Sequence, residues 1–231
     1  PVRRAMPLDR LAERVLLQQV FFDLLRSLPR FRRESSFWTF LYRLVLNTAF
    51  DHLKHRFLIT RALCRLTLSR YAAVAPADWT FETNEYGRPD VHPDTGHAHL
   101  RFNLSHAHTL IACVVTTDAE VGIDVEDTTR ANDVRSIADR YFSPAEVALF
   151  HATPHENQQR RFFEFWTLKE SYIKARGMGL SIPLDQFSFT PDPSSIRIAF
   201  DPALNDDPAA WQFMLRPIGE QHMMAVAIRR G

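Results

Sequence analysis

Three carboxylates and a few hydroxyl, imidazole and cationic side chains are the residues of this chain that could do chemistry. In Val121-Gly122-Ile123-Asp124-Val125-Glu126 two acids stand two residues apart in an apolar run. On a strand both would leave the same face while Ile123 and Val125 turn into the core. Two carboxylates side by side repel unless one is protonated or a cation joins them. Their hard oxygens suit Mg²⁺, which takes a few carboxylates and completes its shell with water and phosphate oxygens. A solvated polar strand face would show the same spacing. The third acid, Glu170, lies in the helical pattern Phe162–Arg176, between Trp166 and Ile173 on the apolar stripe. A carboxylate there needs a partner: Lys174 one turn later, in an ordinary surface pair, or a metal ion shared with Asp124 and Glu126.

Phe102-Asn103-Leu104-Ser105-His106 ends a strand in small polar groups. The Ser105 hydroxyl, His106 and backbone N–H groups at such a turn can hold phosphate oxygens, and a histidine there can equally be a structural hydrogen-bonder. His97, His99, His106 and His108 invite a zinc reading, but these His-x-His pairs lack a cysteine or a third-ligand motif to close a tetrahedral set.

The elements that must position these residues follow from periodicity and turn chemistry. Residues 8–28 and 37–70 read as helix, with apolar positions three and four apart, broken by Pro29 and the charged run from Arg30 to Glu34. After Ala75-Pro76 the pattern changes to short alternating runs, which predict strands at Trp79–Glu82, Phe102–Leu104, Leu110–Thr116 and Val121–Val125, with a turn at Gly87-Arg88-Pro89. Two further helices are expected, one from Ser143-Pro144 and one from about Asn157 to Arg176, stopped by Gly177 and Gly179. Phe187–Phe189, Ile196–Phe200, Trp211–Leu215 and Met223–Ile228 complete the strands.

With 231 residues, 45% hydrophobic and 12% aromatic, the chain can bury a real core. No apolar run approaches the roughly 20 residues that span a bilayer, and the N-terminal residues lack the compact apolar core of a signal peptide. A cytoplasmic protein with no membrane partner is expected. Cys64 and Cys113 lie in apolar surroundings with no Cys-x-x-Cys partner, so buried thiols are expected rather than a disulfide or a zinc site. The net charge of +1 conceals a basic N-terminal part: residues 1–70 hold 14 Lys and Arg against 5 Asp and Glu. Such a part can serve nucleic acid, a phosphorylated ligand or an acidic protein.

Five motifs stand in the order and at the spacing found in the larger, monomeric 4′-phosphopantetheinyl transferases. They are Gly87-Arg88-Pro89, Asn103-Leu104-Ser105-His106, Gly122-Ile123-Asp124-Val125-Glu126, Phe142-Ser143-Pro144-Ala145-Glu146 and Trp166-Thr167-Leu168-Lys169-Glu170-Ser171-Tyr172-Ile173-Lys174-Ala175-Arg176-Gly177. From about Ala49 onward the chain resembles that family. The resemblance implies an α/β (α+β) fold of two similar halves about a pseudo-twofold, residues 49–118 and 119–231, preceded by a helical segment at 1–48. It implies a Mg²⁺-dependent enzyme that moves the phosphopantetheine group of coenzyme A, its co-substrate, onto a serine of an acyl, polyketide or peptidyl carrier protein and releases 3′,5′-ADP. By the same resemblance Asp124, Glu126 and Glu170 would hold Mg²⁺, and Lys174 would neutralise phosphate. Ser105 and His106 would bind diphosphate or the 3′-phosphate, Arg88 would lie against the nucleotide, and Glu170 would be the general base. Arg61, in an Arg-Ala-Leu stretch similar to the family's, is a candidate for the 3′-phosphate, since guanidinium forks fit phosphate well. Glu146 is expected to be structural.

Residues 13–56 resemble something else. Val20-Phe21, Leu28-Pro29-Arg30-Phe31-Arg32, Glu34-Ser35-Ser36-Phe37, Thr39-Phe40-Leu41-Tyr42-Arg43, Asn47 and Asp51-His52-Leu53-Lys54-His55-Arg56 are similar to region 2 of small alternative sigma factors. That region implies RNA polymerase and promoter DNA as partners, although nothing downstream resembles the helix-turn-helix domain such factors also use. An active transferase, a polymerase- or DNA-associated protein with a vestigial transferase half, and a coenzyme A-binding pseudoenzyme are the three functions compatible with the sequence.

Overall fold

The computed structural model describes residues 57–107, 109–130, 133–192 and 195–230. The chain divides into two compact units, Pro1–Ala62 and Leu63–Gly231. In the first, the described residues 57–62 are helical, with the Arg61 guanidinium 5.2 Å from the centre of the Phe57 ring. The helix expected over 8–28, most of that over 37–70, and the whole sigma-like segment lie outside the described residues. The described part of the first helix (α1, residues 57–68) stops two residues before the expected end, where Arg70 and Tyr71 turn their N–H groups onto Thr67 and Leu68.

The second unit opens with two antiparallel hairpins. β1 (Phe81–Thr83) pairs with β2 (Pro89–Val91) across a turn whose Gly87 has φ 84°, and β3 (Leu100–His106) pairs with β4 (Ile111–Thr117). Val91, Leu100 and Phe102 pack with Trp79, Cys64 and Leu68 in a first core. The Trp79 indole N–H is satisfied by the Ser69 hydroxyl at 2.9 Å. Neither cysteine is in a disulfide; Cys64 is buried, and a hydrogen bond with it lowers the pKa of the Cys113 thiol.

The larger core lies around a 22-residue helix. β5 (Val121–Asp127), β9 (His222–Arg229) and β8 (Trp211–Ile218) form an antiparallel sheet in the order β5-β9-β8, and β6 (Phe187–Pro191) pairs with β7 (Ile196–Phe200). Between β5 and β6 come α2 (Val134–Tyr141), α3 (Pro144–Ala152) and α4 (His155–Arg176). Ser143 caps α3 through a full capping box with Glu146, with Pro144 at the first turn where its missing N–H costs nothing. Gly177 ends α4 in the left-handed region at φ 65°. Helix α2 was not expected. It is eight residues long and half polar, and it is held at its start by the Asp133 carboxylate, which accepts from Ser136 N–H at 3.3 Å.

The expected apolar stripe of α4 is also corrected. From Phe162 onward the helix is buried on nearly every side, including Thr167, Lys169 and Ser171, because β5 and β9 cover one face and α2, α3 and β6 pack elsewhere around it. β5 meets α4 so closely that a Cβ at Gly122 would lie 2.1 Å from the Ser171 carbonyl oxygen. Glycine is required there by the approach of two backbones.

The outer edge of β5 faces β3, and side chains join them. Ile123 N–H donates to Asn103 Oδ1 at 3.0 Å and Val125 N–H to Ser105 Oγ at 3.2 Å. Two residues up one strand correspond to two residues up the other, so β3 and β5 run parallel. A helix laid on antiparallel strands thus occurs twice in this mixed α/β fold, in the α1 residues 63–68 with β3 and β4, and in α4 with β9 and β8. Mixed α/β is the fold class that the family resemblance implied.

Candidate active site

The two-residue alternation of β5 sends Asp124 and Glu126 to the face that meets α4, the side on which Gly122 touches that helix. Asp124 is 4% exposed. Its Oδ1 accepts from Lys174 Nζ at 2.7 Å and from Ser105 Oγ at 3.0 Å. Its Oδ2 is buried without a partner among the described residues. Glu126 reaches α4 as well: Oε1 accepts from Trp166 Nε1 at 3.1 Å, and Oε2 lies 3.4 Å from Arg130 Nη1. Burial, reinforced by the negative charge of Asp124, pushes the Glu126 carboxyl up to about 7, against the opposing pull of Arg130, Trp166 and Lys174. Glu170, one turn beyond Trp166, is raised for the same two reasons, with Lys174 opposing.

Of the two partners open to Glu170, the ion pair with Lys174 is not made among the described residues. Lys174 Nζ turns instead to Asp124 and to Ser105 Oγ, the latter at 2.9 Å. A more deeply buried carboxylate wins the cation, since its charge is the costlier one to leave uncompensated. Ser105 is correspondingly saturated. Its single O–H is given to Asp124, and its oxygen accepts from Val125 N–H and Lys174 Nζ. To donate to a phosphate it must release Asp124. His106, next along β3, is exposed at the strand end opposite Ile111.

Arg88, expected to lie against a nucleotide, packs on the end of α4. It is 9% exposed, donates from Nη1 to the Ala175 carbonyl at 2.7 Å, and stands 3.6 Å from Asp90. Asn84 donates to the Gly177 carbonyl at 2.8 Å, and a Cβ at Gly177 would meet Arg88 Cδ at 2.8 Å. The Gly87-Arg88-Pro89 turn therefore docks the β1–β2 hairpin on the end of α4. His97 packs against Trp79 and His99, with ring centroids 5.9 and 5.7 Å away. His108 lies outside the described residues, and Arg61 is described within the first unit alone.

Two groups that support the site carried no assignment from the sequence. Asn103 fixes β5 through Ile123, and its two-residue spacing from Ser105 was the available signal. Lys169, the neighbour of Glu170, is fully buried and donates to Glu146 Oε2 at 2.7 Å and to the Leu184 and Phe187 carbonyls at 2.6 Å each. Glu146, also fully buried, accepts in addition from Ser143 and from Phe189 N–H.

Among the described residues no three His, Cys, Asp or Glu side chains are gathered closely enough to hold a metal ion. Mg²⁺ asks for less: one or two carboxylates, with water and phosphate oxygens completing the shell. The unpartnered, buried Oδ2 of Asp124 and the two acids whose charged forms it disfavours fit that requirement.

Comparison with known proteins shows the family. A family model described as the 4′-phosphopantetheinyl transferase superfamily matches residues 120–227. The chain is 31% identical over 179 residues to the 4′-phosphopantetheinyl transferase HetI of Nostoc sp. strain PCC 7120, a match that covers 78% of this chain and 73% of HetI. The chain belongs to the 4′-phosphopantetheinyl transferase superfamily. It is 39% identical over 134 residues to the transferase Sfp of Bacillus subtilis, covering 58% of this chain and 57% of Sfp. The holo-[acyl-carrier-protein] synthase of Thermotoga maritima aligns in structure with a TM-score of 0.40 and 20% identity, over 48% of this chain and 62% of that one. A second family model, Sigma-70 region 2, matches residues 16–56. Among the described residues no helix is long and apolar enough to cross a membrane.

Proposed function

We propose that this member of the superfamily transfers 4′-phosphopantetheine from coenzyme A to a serine hydroxyl of an acyl, polyketide or peptidyl carrier protein, in a Mg²⁺-dependent reaction that releases 3′,5′-ADP. The observation that carries the reading is the buried Asp124 carboxylate, with one oxygen tied to Lys174 and Ser105 and the other unpartnered, flanked by two acids of raised pKa. Asp124 and Glu126, with Glu170 beside them, would hold the ion. Mg²⁺, when bound, supplies charge neutralisation at the diphosphate and at the leaving 3′,5′-ADP.

The chain's own groups supply the remainder. The serine oxygen bonds to the phosphorus that bears the pantetheine arm, and the phosphoanhydride bond to 3′,5′-ADP breaks. Glu170 accepts the serine proton, directly or through one water. Burial favours its neutral form, so the charged carboxylate is a stronger base than an exposed one. Lys174 donates to phosphate oxygens, His106 lies at the exposed mouth of β3 for the nucleotide's phosphates, and Arg61 is kept as a candidate for the 3′-phosphate. Arg88 contributes by fixing the end of α4 that carries Lys174. Residues 119–231 are the half that holds the carboxylates.

The test is mass spectrometry of several carrier proteins incubated with the protein, coenzyme A and Mg²⁺, beside Glu170→Gln. One phosphopantetheine mass is expected on a carrier, with the rate reduced by about 100-fold or more in the variant. Equal labelling by Glu170→Gln would remove Glu170 from the mechanism. The Sigma-70 region 2 match favours a second reading for residues 16–56, binding to RNA polymerase or promoter DNA. Co-purification with polymerase and salt-dependent binding of a −10 oligonucleotide test it, and absence of both refutes it.

A further inference from the structure

Lys174 occupies the place in the carboxylate pocket where positive charge is most needed. Its Nζ lies 2.7 Å from Asp124 Oδ1 and 2.9 Å from Ser105 Oγ, and the Ser105 hydroxyl is turned onto the same Oδ1 at 3.0 Å. Asp124 and Ser105 are buried on β5 and β3, whereas the Lys174 side chain is 28% exposed. Of the three, the lysine has the longest reach, since its ammonium ends a flexible four-carbon stem. The ammonium also interacts electrostatically with the Glu126 and Glu170 carboxyls. A second cation entering beside Asp124 Oδ2 would meet its repulsion.

We propose that Lys174 is a resident counter-ion of this pocket. While no phosphate is bound it neutralises Asp124 and opposes entry of a divalent cation. Phosphate oxygens of the nucleotide draw it off Asp124, so nucleotide and cation enter with positive coupling, each strengthening the other. This rests on the reading of the pocket as the Mg²⁺ site of the transferase. A lysine that merely contacts phosphate would leave cation affinity untouched when no nucleotide is present. A resident counter-ion makes the opposite forecast from a general loss of function, because removing it strengthens one ligand's binding.

The experiment measures Mn²⁺ binding by electron paramagnetic resonance, on chelator-stripped protein without nucleotide, for the wild type, Lys174→Met, Lys174→Gln and Lys174→Arg. The two neutral variants are expected to bind Mn²⁺ roughly tenfold tighter than the wild type, and the arginine variant, which keeps the charge, close to the wild type. Either neutral variant that folds serves, so misfolding of one leaves the other decisive. Neutral variants that bind Mn²⁺ no tighter than the wild type overturn the proposal, including the case in which none binds detectably. Failure of the underlying reading looks different: Asp124→Asn would then leave Mn²⁺ binding unchanged in both the wild-type and the Lys174→Met backgrounds.

Discussion

Burial beside Asp124 lifts Glu126 from an ordinary 4.5 to about 7, so between those values the folded protein holds a proton that the unfolded chain has lost. Stability from this group is therefore full below pH 4.5 and falls as pH rises through the window, the reverse of a salt-bridged carboxylate. In chelator-stripped buffer at pH 8, Glu126→Gln is expected to be more stable than the wild type by about 1–2 kcal/mol, or several degrees in Tm for a chain of this size, with the difference vanishing at about pH 4, below the unfolded-state value. Melting curves at both pH values check this, and an unchanged or lower Tm at pH 8 contradicts it. That Asp124 and Glu126 share a face was legible in the sequence, because a strand's period of two is local. The partner of Lys174 was not. Helical spacing offered Glu170, and the observed partners Asp124 and Ser105 come from strands 50 and 69 residues away. Likewise the motif pointed Ser105 toward phosphate, and nothing short of the neighbouring strand could show that its donor and both acceptor positions are used within the protein.

At the scale of elements, punctuation carried most of what could be read. Ser143-Pro144 with Glu146 fixed the start of α3, Gly177 fixed the end of α4, and Ile196–Phe200 was expected with the bounds it has. What failed were elements whose reason for existing is tertiary. β2 is three residues long and is held by its partner β1. α2 packs Val134, Ile137 and Ala138 against the larger core while its other side stays polar. The burial of α4 on all sides is of this kind too. Its polar residues Lys169 and Thr167 are satisfied inside: Thr167 donates to the Phe163 carbonyl at 2.6 Å and Lys169 to Glu146 and two carbonyls. A fully buried ion pair is weak evidence of added stability, since apolar side chains of similar volume often serve as well. Here it joins the cap of α3, the start of β6 and the residue before Glu170. The rotation of α4 about its axis, and with it the direction of Glu170 and Lys174, is thereby referred to two separate elements, α3 and β6.

Across the whole of the second unit, the two strand systems meet along a line where no backbone ladder forms. β5 uses its inner edge to pair with β9, in a register that sets Ile123 opposite Val226. Its outer edge would be an unpaired, buried row of N–H groups if Asn103 and Ser105 did not accept from Ile123 and Val125. Asp124 and Glu126 lie on this same strand, so the seam that joins the two strand systems also fixes these two acids. Asn103 makes the cleaner probe of the two, since Ser105 touches Asp124 and Lys174 directly. Asn103→Ala removes the acceptor and leaves the Ile123 N–H buried and unpaired, at a cost of about 1–3 kcal/mol. Its specific signature is in amide exchange. Ile123 is expected to exchange faster than in the wild type, while Val226, bonded on the far side of the ladder, keeps protection that falls only in step with global stability. If Ile123 and Val226 change together, the seam is no weaker than the sheet. β3 and β5 would then be held by side-chain packing, with the Asn103 hydrogen bond contributing nothing separable.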